Sequence, residues 1–275
     1  LIPLVNPEQF LSADPGYSSF YNSKLESIGQ AKLLLTISKS TKQEALDKLK
    51  IQNDRVINIS TGINHDLFKE EDTDNSQDIL SRLGIKKHYI FTTGSEEIHK
   101  NLKQMVKSFA ALPPKLRHDL SLVIGGKFSS GFISELKHCA IRWGLSEDSL
   151  CFPDFIQDDD LICLYRHCKF FIFPSWHEGF GLPVLEAMAC GAPVICSNTT
   201  SLPEVIGLSE ATFNPFDVTS ISAKMMQVLN NGDFRQKLKD HGIKQAKKFS
   251  WDKTAKKTFE AWEKIMPYKG KNQWY

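Results

Sequence analysis

Apolar residues fall in short unbroken blocks along this chain, each followed by a stretch in which they return with helical period. HYIFTTG at 88–94, SLVIGG at 121–126, LCFPDF at 150–155, and the runs 169–174 and 193–197 have the length and composition of strands buried on both faces. Between them the pattern predicts helices over 102–112, closed by Pro113-Pro114, then over 131–143 and 160–167. Such alternation with short connections predicts a doubly wound, Rossmann-like parallel sheet whose ligands lie beyond the carboxyl ends of its strands. Gly94, Gly125-Gly126, Asp154-Phe155 and the loop 175–181 all fall at such ends, so they are expected to converge on one cleft.

The flanks follow less regular patterns. Residues 1–11 read as apolar and extended, and Pro3, Pro7 and Pro15 argue against a helix before Tyr17. KLLLTIS at 32–38 reads as a buried strand, Ser40 as the N-cap of a helix with Gln43 completing a capping box, and 55–60 as another strand. Beyond the central blocks the pattern predicts a last strand over 211–215 and helices over 220–229 and 234–249. A further helix follows Ser250 as N-cap, over 253–265. Three parts are expected: 1–62 as the end of a first α/β domain, 63–249 as the main sheet domain, and 250–275 as a terminal helix and tail.

Composition changes this picture little. A chain of 275 residues with 41% hydrophobic content is an ordinary globular protein, and no run approaches the ~20 apolar residues of a membrane span. No signal-peptide pattern opens it, so a soluble cytoplasmic protein is expected. The six cysteines lie in apolar or helical settings without a zinc-type spacing and read as reduced core residues. Cys163 and His167 have metal-ligand spacing on a helix, but no second pair accompanies them, so no metal is expected. The net charge of +2 hides an excess of eight positive charges over residues 235–275, against five acids and no base over 70–78. The basic end is either a solvated helical face or a surface attracted to an anionic membrane, which would make the protein peripheral there. Nothing in the pattern points to nucleic acid.

The chemistry concentrates in KFFIFPSWHEGFGLPVLEAMACGAPVICSNTTSLPE, residues 169–204. A strand, a glycine loop, a helix opened by Pro183 and stopped by Gly191, and a second strand follow one another. That unit sets backbone N–H groups and a helix N-terminus against an anion. Glu178 precedes Gly179, Phe180 and Gly181, and Glu186 lies about one turn inside the helix. Taken alone, Glu178 reads equally as a solvated loop acid and Glu186 as a surface helix residue. Among Leu185, Ala187, Met188 and Ala189, however, an unpaired carboxylate would be costly to bury, which favours a polar partner such as a sugar hydroxyl. Gly94-Ser95-Glu96-Glu97-Ile98-His99-Lys100-Asn101 follows a strand and opens a helix, a setting in which Lys100 is either a surface lysine or a cation for a departing diphosphate. The acids at 158–160 read equally as helix caps, Ser201 and Glu204 have capping-box spacing, and His177 lines the pocket or is a plain loop histidine.

H-E-G-F-G-L-P-V-L-E-A-M-A-C-G, running on through Ala192-Pro193-Val194, resembles the signature of retaining GT-B glycosyltransferases, in which two glutamates are separated by seven residues. The resemblance extends over nearly all of the chain but only over the latter part of the family's usual length. It implies a GT-B α/β fold with an incomplete first domain, joined through Thr61-Gly62-Ile63-Asn64 to the nucleotide-binding domain and braced by the terminal helix. It implies that Glu178 and the loop Gly179, Phe180, Gly181 and Leu182 hold the donor sugar, with Glu178 and Lys100 in the catalytic roles, and that Glu186 binds the ribose. Gly94, Ser95, His99 and Asn101 would complete the diphosphate site, and the backbone near Ile156 would read the base. Similar enzymes have an arginine where His99 stands, and a histidine is only partly charged near neutral pH.

The implied activity is metal-independent transfer of a hexose from a nucleotide-diphosphate sugar, GDP-mannose or a UDP-sugar, to a glycan or lipid-linked acceptor with retention. The Lys-Asn pair and the opening Leu-Ile-Pro-Leu lean toward mannosyl transfer in surface polysaccharide biosynthesis. No cofactor beyond the donor substrate is implied. The competing expectations are a nucleotide-sugar-binding half-enzyme without catalysis of its own and a sugar-nucleotide epimerase on the same fold.

Overall fold

The computed structural model describes residues 1–12, 15–71, 76–85, 88–153 and 156–266. The chain divides into two compact units: Leu1–Gly62 together with the chain from Phe249 onward, and Ile63–Lys248.

In the first unit, α1 (Ile2–Val5), α2 (Pro7–Phe10) and α3 (Pro15–Gln30) precede β1 (Leu34–Thr36), α4 (Lys39–Leu49) and β2 (Val56–Asn58). The expected extended start is therefore corrected to helical turns. Pro3, Pro7 and Pro15 each stand in the first two positions of a helix, where the missing N–H has no partner to lose. Helix α4 begins earlier than expected: its N-cap is Ser38, whose Oγ accepts from Thr41 N at 2.9 Å, rather than Ser40. β1 and β2 run parallel with Leu34 opposite Val56.

The second unit holds a six-stranded parallel sheet. In chain order, α5 (Ser76–Arg82) leads into β3 (His88–Thr93), α6 (Leu102–Ala110), α7 (Pro114–Arg117), β4 (Leu120–Gly125), α8 (Ser130–Arg142) and β5 (Leu150–Cys151). Then follow α9 (Asp158–His167), β6 (Phe170–Phe173), α10 (Leu182–Ala189), β7 (Val194–Ser197), α11 (Leu202–Ile206), β8 (Thr212–Phe213), α12 (Val218–Asn230) and α13 (Gly232–Ala246). The last helix, α14 (Trp251–Glu263), belongs to the first unit and is capped by Ser250 as expected. Strand order is β5-β4-β3-β6-β7-β8, every pair parallel.

Sequence explains why the centre of this sheet is so well fixed. Every residue of β4, β6 and β7 is buried, as expected for strands covered by helices on both faces. Phe91, Tyr165 and Phe171 meet edge to face at 5.2–5.7 Å between centroids, locking α9 against β3 and β6. Asp160, one of the acids read as helix caps, accepts from Gln157 N and lies 2.5 Å from the Arg82 guanidinium, so its structural role is complete. The strand order reverses direction between β3 and β6. This is the switch point at which doubly wound sheets open a crevice at their carboxyl end.

No helix among the described residues is long and apolar enough to cross a membrane. All six cysteines are thiols, five of them buried, and no group of three metal-ligating side chains is found among the described residues, Cys163 and His167 included.

Candidate active site

The loop after β6 carries Glu178, and a set of hydroxyl groups fixes its course. Ser175 Oγ donates to His99 O at 2.9 Å, and Ser197 Oγ donates to Ser175 O at 2.5 Å. Thr199 Oγ1 donates to Trp176 O at 2.8 Å, and Thr200 Oγ1 accepts from Glu178 N at 3.1 Å. Ser201 Oγ stands 3.0 Å from Glu178 O and 2.8 Å from Phe180 O. The capping box expected of Ser201 is thereby corrected, because its hydroxyl is turned to the glycine loop and caps no helix. These hydroxyls satisfy loop carbonyls that would otherwise be buried without partners.

The loop after β3 is fastened to the loop after β6. Trp176 N donates to His99 O at 3.0 Å, and Trp176 Nε1 donates to Ile98 O at 3.2 Å. Asn101, in the left-handed region with φ 61, sends its side-chain amide to Pro174 O at 3.1 Å and Pro215 O at 2.8 Å. The Asn101 side chain thus ties together the loops after β3, β6 and β8. Between these anchors Lys100 reaches across: its Nζ lies 2.7 Å from Glu178 Oε1 and 5.8 Å from the centre of the Phe173 ring. Both partners are largely shielded, with 20% and 12% of their side chains exposed.

Helix α10 starts four residues beyond Glu178. Its N-cap is Gly181 with φ 102, so no side chain caps the first turn. A Cβ at Gly181 would also come within 2.5 Å of Leu202 Cδ2. An uncapped helix N-terminus facing a cleft favours negative charge. Pro183 occupies the second helical position, and Val184, Leu185, Met188 and Ala189 bury as the apolar stripe predicts. Phe180 is buried, whereas Leu182 at the helix start is exposed.

Glu186 has a protein partner. Tyr165 Oη donates to its Oε2 at 3.0 Å, and burial raises the carboxyl pKa above the ordinary range, the tyrosine hydrogen bond opposing that shift. The sequence expectation of a polar partner is thus met first by Tyr165, whose own pKa is pushed up by burial and then by the neighbouring carboxylate.

The remaining expected donor-binding residues gather at the same end of the sheet. Gly94 N donates to Gly125 O at 2.9 Å, and a Cβ on Gly126 would meet Gly94 O at 2.2 Å, so the backbones after β3 and β4 touch. Ile156 reaches this contact, its Cδ1 lying 2.9 Å from where a Cβ on Gly125 would stand. Asp154 and Phe155, expected in the base-binding loop, lie outside the described residues. Ser95 Oγ donates to Glu97 Oε2 at 3.1 Å on the exposed side of the loop. His99 is only 4% exposed, and burial followed by the charge of Lys100 lowers its pKa, which disfavours a second positive charge there. A cavity of about 850 Å³ lined by His88, Arg166, Lys169, Arg235 and Lys239 sits at the opposite ends of the strands and shares no residue with this cleft.

Fold and cleft together define a doubly wound α/β domain with a cation, a carboxylate and an uncapped helix N-terminus at its switch point. Residues 74–245 match the Glycosyl transferases group 1 family, and the chain belongs to that family. It is 38% identical over 267 residues to the serotype-specific mannosyltransferase WbdA of Escherichia coli, covering 97% of this chain and 33% of that protein. It is 32% identical over 239 residues to the Escherichia coli O-antigen chain mannosyltransferase B, covering 86% of this chain and 62% of the relative. Among solved structures it is similar to Anabaena HepE in complex with UDP-glucose, with a TM-score of 0.79 and 16% identity over 95% of this chain and 70% of that one. The fold is of GT-B type. The chain spans between a third and two thirds of the length of these two curated relatives.

Proposed function

We propose that this chain holds the donor half of a glycosyltransferase that moves a hexose from a nucleotide-diphosphate sugar to a glycan or lipid-linked acceptor with retention of configuration. The observation that carries the reading is the ion pair of Lys100 with Glu178, on the loop that leads into the uncapped N-terminus of α10, at the switch point of the sheet. In this reading the ammonium and the helix terminus neutralise the departing diphosphate, while Glu178 and the loop of Gly179, Phe180 and Gly181 hold the hexose. Tyr165 takes one oxygen of Glu186, and the other accepts from a ribose hydroxyl. Asn101 acts through the loops it ties together, and Ile156 borders the base.

The acceptor hydroxyl attacks the anomeric carbon on the face from which the diphosphate leaves. The C–O bond to the diphosphate breaks, the new glycosidic bond forms, and the hydroxyl proton passes to the departing phosphate oxygen. No protein nucleophile is needed, and orientation of the two substrates supplies much of the rate. The relatives named as mannosyltransferases favour a mannosyl donor such as GDP-mannose and a place in surface polysaccharide assembly.

Calorimetric titration with a panel of GDP- and UDP-sugars, with and without excess chelator, tests this reading. It predicts chelator-insensitive binding of a nucleotide-diphosphate sugar, since Lys100 and a helix terminus carry the neutralisation. Binding lost on chelation and restored by magnesium would contradict it.

A further inference from the structure

We propose that the cavity at the amino ends of the sheet strands is a second anion site. It takes a phosphate-bearing group, either a diphosphate free in solution or the headgroup of an anionic lipid. The site shares no residue with the donor cleft and does not depend on the glycosyl-transfer reading.

The cavity holds about 850 Å³ where β3, β6 and β7 begin, between the last turn of α9 and the first turns of α13. That volume lies in the range of small-molecule sites. Arg166, Lys169, Arg235 and Lys239 line it, and Asp119 is the one carboxylate among its described lining residues. Asp119 is 83% exposed and hydrogen-bonded to His118 Nδ1 at 2.8 Å, so it does little to offset four cations.

The way these cations are held leaves most of their charge uncancelled. Arg166 Nε and Nη2 donate to Lys69 O at 3.0 and 2.7 Å, and Arg235 Nη1 donates to Val228 O at 2.7 Å and Leu229 O at 3.3 Å. A carbonyl satisfies an N–H group but brings no net charge, so both guanidiniums remain fully positive. Lys169 pairs with no described carboxylate. Among the described residues only Lys239 of the four has a counter-ion, Glu70 Oε1 at 2.7 Å. That pair forms part of the rim. A Cβ on Gly191 would stand 3.0 Å from Glu70 Cγ and 3.4 Å from Lys239 Cε, so the glycine lets the two side chains lie against the end of α10.

Like charges gathered in one concavity repel, and low-dielectric walls focus their field, so an incoming anion relieves a cost the fold already bears. Complementing helix carbonyl ends accounts for Arg166 in the last turn of α9 and for Arg235 at the end of α12. It leaves Lys169 unexplained. Two guanidiniums and an unpaired ammonium call for a multiply charged anion. A single carboxylate would offset one charge of the three, whereas phosphate oxygens carry more charge and match the planar donor fork of arginine.

Two-dimensional NMR of the chain titrated with inorganic diphosphate tests the site. Sedimentation with vesicles of neutral phospholipid, with and without an anionic phospholipid, separates the two sources. Diphosphate should shift the backbone amides of Lys169, Gly191 and Gly232. Lys169→Glu should weaken that response about tenfold, and Lys169→Arg should keep it. Lys169→Gln, which only removes the charge, gives the same reading should the glutamate disturb the strand. Lys257→Glu makes the same charge change at an exposed position of α14, outside the cavity, and should leave the response unaltered. If the source is a lipid, the chain sediments with the anionic vesicles alone and the variants follow the same order there. Diphosphate shifts confined to Gly94, Lys100 and Gly179, or absent altogether, together with no preference for anionic vesicles, would overturn the proposal. Equal weakening by Lys169→Glu and Lys257→Glu would also overturn it, because overall charge rather than the cavity would then be responsible.

Discussion

Glu178 and Glu186 belong to one loop-helix segment, yet the two regions around them solve opposite problems. The carboxylate of Glu178 meets a cation from a distant segment, Lys100, at 2.7 Å, in a loop fixed by side-chain hydroxyls from the chain after β7. Glu186 sits on the first turns of α10 among buried apolar residues, meets the neutral hydroxyl of Tyr165, and has its pKa raised by burial. One acid is matched to charge and the other to hydroxyl groups. Under the proposed function, that difference is what would let a short segment discriminate two parts of one ligand. A site built for a charged, reacting centre has a counter-ion in reach, whereas a site built for neutral hydroxyls holds a carboxylate at some electrostatic cost and offers it hydrogen-bond partners.

The largest expected break in this comparison is Lys100→Ala. It removes the only side chain that forms an ion pair with Glu178 among the described residues and the cation assigned to the diphosphate. Nucleotide-diphosphate affinity should fall by ~1.5–3 kcal/mol, about ten- to hundredfold, in calorimetry. An unchanged affinity would return Lys100 to a purely structural role.

A smaller effect of opposite sign is expected at the other carboxyl. Because the folded-state pKa of Glu186 is raised, its contribution to stability is fully present below the ordinary glutamate pKa and is lost as pH rises through the folded value. Glu186→Gln keeps an oxygen for Tyr165 and removes the buried charge, so the variant should melt higher than the parent near neutral pH, with the gap closing toward acid. Thermal melts across that pH range measure it. A gap that stays constant with pH would mean that the carboxyl charge is not the cause.

Much of the frame behind these two acids was legible in the sequence, for a physical reason. Strands covered on both faces must be apolar throughout, so 169–174 and 193–197 announce themselves, and Pro183 and Gly191 bracket the helix between them. The prolines near the N-terminus misled because proline excludes a helix interior but favours a first turn, and spacing alone does not separate the two. Ser38 and Ser40 are equivalent caps on paper; the backbone at Ser38, extended with φ −150, decides between them. The pairings in the cleft were harder still. Lys100 and Glu178 are 78 positions apart, and Tyr165 and Glu186 are 21 apart on different helices, so no local periodicity brings either pair together. The hydroxyl run Ser197-Asn198-Thr199-Thr200-Ser201 carried a readable signal, since so many hydroxyls after a buried strand imply backbone groups to satisfy nearby.

The division of labour between the two glutamates is tested most directly by a crossed titration, in which Glu178→Ala and Glu186→Ala are each measured against the nucleotide diphosphate and the nucleotide-diphosphate sugar. The account predicts that Glu186→Ala weakens both ligands by ~1.5–3 kcal/mol, whereas Glu178→Ala spares the free nucleotide diphosphate and weakens only the sugar-bearing donor by a similar amount. Equal losses on both ligands from both substitutions would contradict it.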